Sequence, residues 1–149
     1  MSINDNLMRV RAIVDAFNER DLDGFLSLHD SGMNGFEPPH PKAVNREKLS
    51  EWVLGLQAAF SDGRWIVEFA FGGEEVWVGA EFQMTGTHDG PLSTPWETVE
   101  ATHRSIDVHW AGVYAFTEDS RVWHLYTYFD LCDVLVQIGV GAPILSPPG

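Results

Sequence analysis

Apolar residues recur at helical spacing through the first third of the chain. Leu7, Met8, Val10, Ile13, Val14 and Phe17 repeat every three to four positions behind Asn4, which can cap a helix start. Asp21 can cap a second, short helix carrying Leu22, Phe25, Leu26 and Leu28. The stretch from Ser31 to Pro41 holds two Gly and three Pro and predicts turns, because Pro removes a donor and clashes with the preceding turn. Asn45 then caps a third helix, with Leu49, Trp52, Val53, Leu56 and Phe60 on one face and Ser61-Asp62-Gly63 as its stop.

From Arg64 the period falls to two. Strands are predicted over 64–71, 76–87, 105–116 and 121–131, with a turn at Gly72-Gly73, a loop over 88–104 and a short connection at Thr117–Ser120. Leu131, Val134, Leu135 and Ile138 predict a final short helix. The segment 142–149 is Pro-rich and is expected to be an extended or disordered tail; residues 1–141 read as a single domain without internal repeats. Helices followed by antiparallel strands is an α+β order. Three N-terminal helices that cover one face of a strongly curved antiparallel sheet can leave a cone-shaped apolar pocket between the layers.

Composition narrows the chemistry. At 149 residues the length suits one domain. Aromatic residues make up 12%, which fits either a ring-rich core or an apolar cavity lined by rings. Nine basic against 22 acidic residues give a formal charge of −13, a surface that repels phosphate backbones and anionic membranes, so neither nucleic acid nor a membrane is an expected partner. The N-terminus has no basic and apolar leader, no apolar run is long enough to span a bilayer, and Cys132 is the one cysteine; a reducing cytoplasm is the expected location. His29, His40, His88, His103, His109 and His124 form no closely spaced ligand pair, and no phosphate-binding glycine loop opens a helix. Neither a metal nor another cofactor is expected.

Three segments, taken in order, carry a resemblance. They are Ala59-Phe60-Ser61-Asp62-Gly63-Arg64, then Gly86-Thr87-His88-Asp89-Gly90, then Tyr126-Thr127-Tyr128-Phe129-Asp130 followed by Gln137-Ile138-Gly139. Together they resemble the SnoaL-like polyketide cyclases of the nuclear transport factor 2-like superfamily. The chain departs from that pattern at Thr102-His103-Arg104, at Ser120 where a hairpin glycine is usual, and in the long loop Pro91–Thr102. The resemblance implies a cone-shaped α+β barrel, often dimeric through its sheet, with an apolar cavity in which one Asp acts as acid and base. It implies enzymes of polyketide and antibiotic biosynthesis and secondary metabolism. Their activities include aldol ring closure, isomerisation, epoxide opening and pericyclic closure such as that proposed in indanomycin biosynthesis; some superfamily members are not enzymes.

Register arithmetic gives the candidate site. If Thr117 and Arg121 flank a three-residue loop, even positions on both strands share a face: Trp110, Tyr114 and Phe116 with Val122, His124, Tyr126, Tyr128 and Asp130. Phe82, Met84, Gly86 and His88 join them, because their odd neighbours Glu81, Gln83, Thr85 and Thr87 are polar. By position alone Asp130 reads first as the cap of the helix that follows; the resemblance implies the acid/base role, which burial among rings would favour by raising its pKa. His88 and Tyr126 are the candidate donors to a developing oxyanion. Trp110, Tyr114, Tyr128, Phe82 and Met84 are the expected substrate wall, with Asn34 at the mouth. On the odd faces, His109, Ala111, Val113 and Ala115 beside Trp123, Leu125, Thr127 and Phe129 predict a symmetric homodimer through the sheet.

The function expected from this is a cofactor-independent cyclase or isomerase acting on an apolar, oxygenated small molecule. The alternatives are a pericyclic cyclase that relies on substrate folding, an epoxide-opening enzyme with Glu37 or Glu81 as a partner for Asp130, and a ligand-binding module without turnover.

Overall fold

The computed structural model describes residues 3–37, 42–72 and 76–141. His40, the turn residue Gly73 and the tail 142–149 lie outside the described residues. In chain order the elements are α1 (Ile3–Asn18), α2 (Leu22–Ser27), β1 (His29–Phe36), α3 (Arg46–Ala59), β2 (Arg64–Gly72), β3 (Trp77–Thr87), β4 (Leu92–Ser93), β5 (Thr98–Val99), β6 (Ser105–Phe116), β7 (Val122–Phe129) and α4 (Leu131–Gln137).

Two of the caps read in the sequence, Asp21 and Asn45, are made, whereas Asn4 lies inside α1, which already begins at Ile3. The Asp21 carboxylate accepts from Gly24 N–H, and the Asn45 carbonyl oxygen accepts from Lys48 N–H at 2.9 Å. In α1, Val10, Ile13, Val14 and Phe17 form the buried stripe. Its end is fastened to β2 because Asn18 pairs with the Trp65 backbone in both directions, at 2.9 and 2.8 Å. No helix among the described residues is long and apolar enough to cross a membrane.

The fold is α+β, with a curved, unclosed five-stranded sheet in the order β1-β7-β6-β3-β2 and helices on its inner face. Two features differ from the expectation. The sheet is mixed, because β1 lies in the segment expected to be turns and pairs with β7 in parallel. Its two glycines fit a strand. A Cβ at Gly35 would sit 2.9 Å from the Leu125 carbonyl oxygen, so glycine is what lets β1 approach β7. The loop over 88–104, in turn, contains the small antiparallel ribbon β4–β5, whose Leu92 and Val99 are buried.

The register of β6 and β7 is the more consequential difference. Phe116 pairs with Val122, as the turn arithmetic requires, but Ala115 pairs with His124. Trp123 is therefore an extra residue, a β-bulge that flips every later side chain of β7 to the other face. Trp110 now opposes Phe129, and Tyr114 opposes Leu125. Leu125 and Thr127 are buried inside, whereas Tyr128 is 51% exposed and Tyr126 stacks outside on Trp77, ring centroids 6.5 Å apart. The odd positions of β6 keep the outward placement expected of them; the outward residues of β7 beside them are His124, Tyr126 and Tyr128.

Ser120 takes φ 57°, the left-handed conformation that glycine would adopt at less cost. Its buried hydroxyl donates to the Asn6 side-chain oxygen at 2.9 Å, which offsets part of that strain and ties the hairpin to α1.

Candidate active site

Between the helices and the inner sheet face lies a cavity of about 690 Å³, large enough for a multi-ring small molecule. Trp52, Leu56 and Phe60 of α3 and its end form one wall, Met84, Val108, Trp110 and Phe129 of the sheet the other, and Leu131 and Val134 of α4 close one side. Behind it is a recess of about 20 Å³, room for one water, lined by His29, Met33, Tyr114 and Leu125 among others. Glu37, Val44, Trp52, Trp65, Trp110 and Thr127 line both spaces and so form the neck between them.

The polar groups of this apolar site come mostly from β1 and its approaches. Met33, Gly35 and Glu37 alternate inward along β1 and just past its end, which delivers a carboxyl group to the neck. Glu37 is 6% exposed, and its Oε1 is buried without a hydrogen-bond partner among the described residues. Burial disfavours the charged form and pushes its pKa up to about 7. His29 is fully buried, and its Nδ1 lies 2.8 Å from the Phe25 carbonyl oxygen. A carbonyl only accepts, so Nδ1 carries the proton and Nε2 is the ring's acceptor. Burial draws the His29 pKa down to about 4, which keeps the ring neutral at pH 7.

Two donors complete the set. Tyr114 is fully buried, and desolvation holds its hydroxyl well above the usual tyrosine range, so it remains a donor. Trp65 is clamped by stacking on Phe17, centroids 3.7 Å apart, and by the edge of Trp110 at 5.0 Å. Its buried Nε1–H has no hydrogen-bond partner among the described residues. A carboxyl group that titrates near neutrality, set among fixed donors and excluded from bulk water, is equipped to move a proton from carbon or oxygen and to steady the oxyanion that results.

Only part of the expected site is assembled here. Trp110 and Tyr114 line the neck and recess, and Met84 lines the main cavity. Phe82 is buried behind the wall, stacked on Trp110 at 4.1 Å, and supports it without lining it. Tyr126 and Tyr128 are on the outer face because of the bulge at Trp123. Asp130 is exposed, and its Oδ1 accepts from Asp133 N–H at 3.2 Å, which caps α4; it does not line the cavity although Phe129 and Leu131 on either side do. Asn34 is exposed, with its backbone oxygen 3.4 Å from His124 Nδ1. Glu81 also faces outward, where it clusters with Glu68 and His109, their ligand-type atoms within 4.8 Å of one another.

His88 belongs to a structural lock. The Asp62 carboxylate accepts from Thr87 N–H and Oγ1–H at 2.7 and 2.9 Å, and the Asp89 carboxylate accepts from Ser61 N–H and its hydroxyl. The backbones of Asp89 and Gly90 donate to Ala59. A Cβ at Gly90 would lie 2.0 Å from the Ala58 carbonyl oxygen, so only glycine fits there. His88 sits inside this junction against Phe60, its Nδ1 3.0 Å from Thr102 Oγ1, and lines neither cavity nor recess. The two motifs Ala59–Arg64 and Gly86–Gly90 thus hold the end of α3 onto β3. Gln137 does the same for α4: its side chain accepts from Asp107 N–H at 2.7 Å and donates to Asp107 O at 3.0 Å.

The sequence pattern offers Glu37 only as a partner for Asp130, puts Thr127 on the outer sheet face, and gives His29, Trp52 and Trp65 no place in a site. The available signal was the alternation Met33, Gly35, Glu37, which the neighbouring glycines and prolines obscured.

No curated protein sequence matches the chain. Among solved structures it is similar to AclR, a candidate hydroxylase from Streptomyces galilaeus, at 20% identity and TM-score 0.80, over 93% of this chain and 83% of that one. A candidate SnoaL-like polyketide cyclase from Jannaschia sp. CCS1 aligns at 20% identity and TM-score 0.79, over 93% and 94% of the two chains. IdmH, a candidate polyketide cyclase from Streptomyces antibioticus, aligns at 21% identity and TM-score 0.74, over 91% and 99%. At these identities the likeness is one of fold. The model of the SnoaL-like domain family matches residues 10–125, most of the chain, and this chain belongs to that family.

Proposed function

We propose that this chain is a cofactor-independent cyclase or isomerase of polyketide-type secondary metabolism, including antibiotic biosynthesis, with Glu37 as its acid/base. The observation that carries the reading is a buried carboxyl group, the single one among the described residues, with its pKa pushed up to about 7 at the neck of an apolar cavity. The substrate is an apolar molecule bearing a carbonyl. Glu37 takes a proton from the carbon beside that carbonyl. The oxygen, as it becomes an enolate, accepts from the Tyr114 hydroxyl and the Trp65 indole N–H. The enolate carbon then attacks a second carbonyl, or is reprotonated at another position, and Glu37 returns its proton to the product. The wall of Trp52, Trp65 and Trp110 folds the substrate for attack, which is itself a large rate effect. Family membership and the fold shared with candidate polyketide cyclases support this choice.

A second reading has its own support in the size of the cavity and its ring-rich wall: a pericyclic closure that needs the folding alone. The protein acts in the cytoplasm in either case, as a symmetric dimer through the outer sheet face, where Trp123, Tyr128, Phe69 and Phe71 are exposed.

β-Tetralone, an apolar bicyclic ketone, tests proton transfer directly. In D2O the wild type is expected to speed deuterium uptake beside the carbonyl, with an activity that rises as Glu37 ionises near pH 7. Glu37→Gln is expected to exchange no faster than buffer. Uptake by that variant at the wild-type rate would overturn the role of Glu37.

A further inference from the structure

The chain has only two lysines, Lys42 and Lys48, and both line the mouth of the main cavity. The formal charge is −13, with 22 acidic residues for lysines to pair with anywhere on the surface. Lys48 does pair, with Glu51 at 2.9 Å on the same rim. Lys42 has no ion-pair partner among the described residues. Among the described residues, then, a cation without an ion-pair partner lines an apolar cavity in a strongly acidic protein. Ser93 and Thr94, which also line the cavity, are polar but uncharged.

From this we infer that the ligand of the cavity carries an anionic group, a carboxylate or its equivalent, at the end that projects from the mouth, where Lys42 meets it. The inference rests on the reading that the cavity holds an apolar small molecule, and it adds the polarity of that molecule from end to end. The apolar body lies against Trp52, Trp65 and Trp110, the reacting carbonyl sits at the neck beside Glu37, and the anion remains in water-accessible surroundings. The geometry has a physical logic. A net charge of −13 repels anions in bulk solution, so an anionic substrate needs a local positive field at the entrance, and Lys42, which no carboxylate among the described residues pairs with, supplies it. Lys48 adds to the field, and Glu51 takes part of it back.

Two dyes with one ring system separate the terms. Anilinonaphthalene sulfonate carries an anionic group, and phenylnaphthylamine is the same skeleton without it. Binding is measured by fluorescence titration at low and high salt. The wild type is expected to bind the sulfonate more tightly than the neutral dye, with a preference that shrinks as salt rises. Lys42→Gln is expected to weaken the sulfonate about threefold to fivefold, the scale of an exposed ion pair, and to leave the neutral dye unchanged. Lys42→Glu should weaken it further. Gly55 lines the cavity and a side chain there meets open space, so Gly55→Trp projects an indole into it and should weaken both dyes, as expected if the cavity is where they bind. Equal affinities for the two dyes, or a sulfonate affinity indifferent to Lys42, would overturn the anionic end while the cavity reading stands. If Gly55→Trp displaces neither dye, the cavity reading fails, and the inference with it.

Discussion

The Tyr114 ring lies flat across Gly112: a Cβ at that glycine would come within 2.7 Å of the ring's Cε2 and 3.1 Å of its hydroxyl. The absent side chain is therefore what allows Tyr114 to lie along β6 and line the recess. Gly112→Ala is expected to push the ring off, at about 1–3 kcal/mol of stability, the usual cost of overpacking a core. Tyr114→Phe keeps the shape and removes only the donor. Its turnover is expected to fall about 100-fold, the effect of losing one oxyanion donor, with little change in the denaturation midpoint. Urea denaturation and steady-state kinetics on both variants check this. Full activity in Tyr114→Phe would remove the hydroxyl from the mechanism.

Glu37 and His29 drive the pH dependence of stability in opposite directions. The folded protein holds a proton on Glu37 up to about pH 7, whereas the unfolded chain loses it near 4.5, as an ordinary glutamate does. Folding therefore binds more protons in that window, and stability falls as pH rises from about 4.5 to 7. His29 is depressed from 6.5 to about 4, so the unfolded chain binds the extra proton and stability rises from about pH 4 to 6.5. Each term is on the order of 3 kcal/mol, and over most of the range they cancel. The wild type is expected to show a nearly flat curve between pH 4.5 and 6.5 from this pair. Glu37→Gln should tilt it upward with pH, and His29→Gln downward. Chemical denaturation at a series of pH values reads the tilt, and equal slopes in the two variants would contradict the burial of one or both groups.

Asp130 gives a clean contrast. Its carboxylate caps α4 and is exposed, so Asp130→Asn, which preserves a capping oxygen, is expected to leave both turnover and stability unchanged. Asp130→Ala should lose about 1 kcal/mol from the cap and keep its turnover. A hundredfold loss of turnover in Asp130→Asn would return the acid/base role to this residue.

The legible parts of this fold were those governed by local rules. Asp21, Asn45 and Asp130 read as caps because a short polar side chain before an apolar periodic run has a defined partner in the first turn. The limits of β6 were plain because Ser105–Trp110 alternates polar and apolar residues and the apolar run that follows stops at Thr117. The bulge at Trp123 was not legible. Apart from His124 and Thr127, residues 122 to 129 are apolar or aromatic on both faces, so a slip of one position buries only the small hydroxyl of Thr127 and leaves little trace in the pattern. The site moved with it, from Tyr126, Tyr128 and Asp130 to Leu125, Thr127 and Phe129. β1 was hidden for a different reason. Gly32 and Gly35 carry the composition of a turn, and the need for glycine at 35 is the Leu125 backbone, far away in sequence. Glu37 shares that fate, since a carboxyl group beside prolines looks solvated until β1 is seen to pair with β7.

Glu37→Gln separates the chemical readings, because it removes the proton acceptor and keeps size and shape. If Glu37 is the base, turnover is expected to fall 10²- to 10⁴-fold, the usual contribution of general acid–base catalysis. Stability at pH 7 should rise at the same time, since the variant no longer buries a group that ionises near that pH. Loss of activity with a gain in stability is the mark of a residue kept for chemistry rather than for folding. In a pericyclic enzyme the same variant should keep most of its turnover. Trp110→Leu should then cost more than Glu37→Gln, because Trp110 lines both neck and cavity and its removal loosens the wall that folds the substrate. In a protein that only binds, neither variant has turnover to lose, and Trp110→Leu should weaken ligand binding while Glu37→Gln does not. Comparing kcat, ligand affinity and denaturation midpoint for these two variants therefore gives three distinct patterns, and a Glu37→Gln enzyme with wild-type kcat would leave the aromatic wall as the source of catalysis.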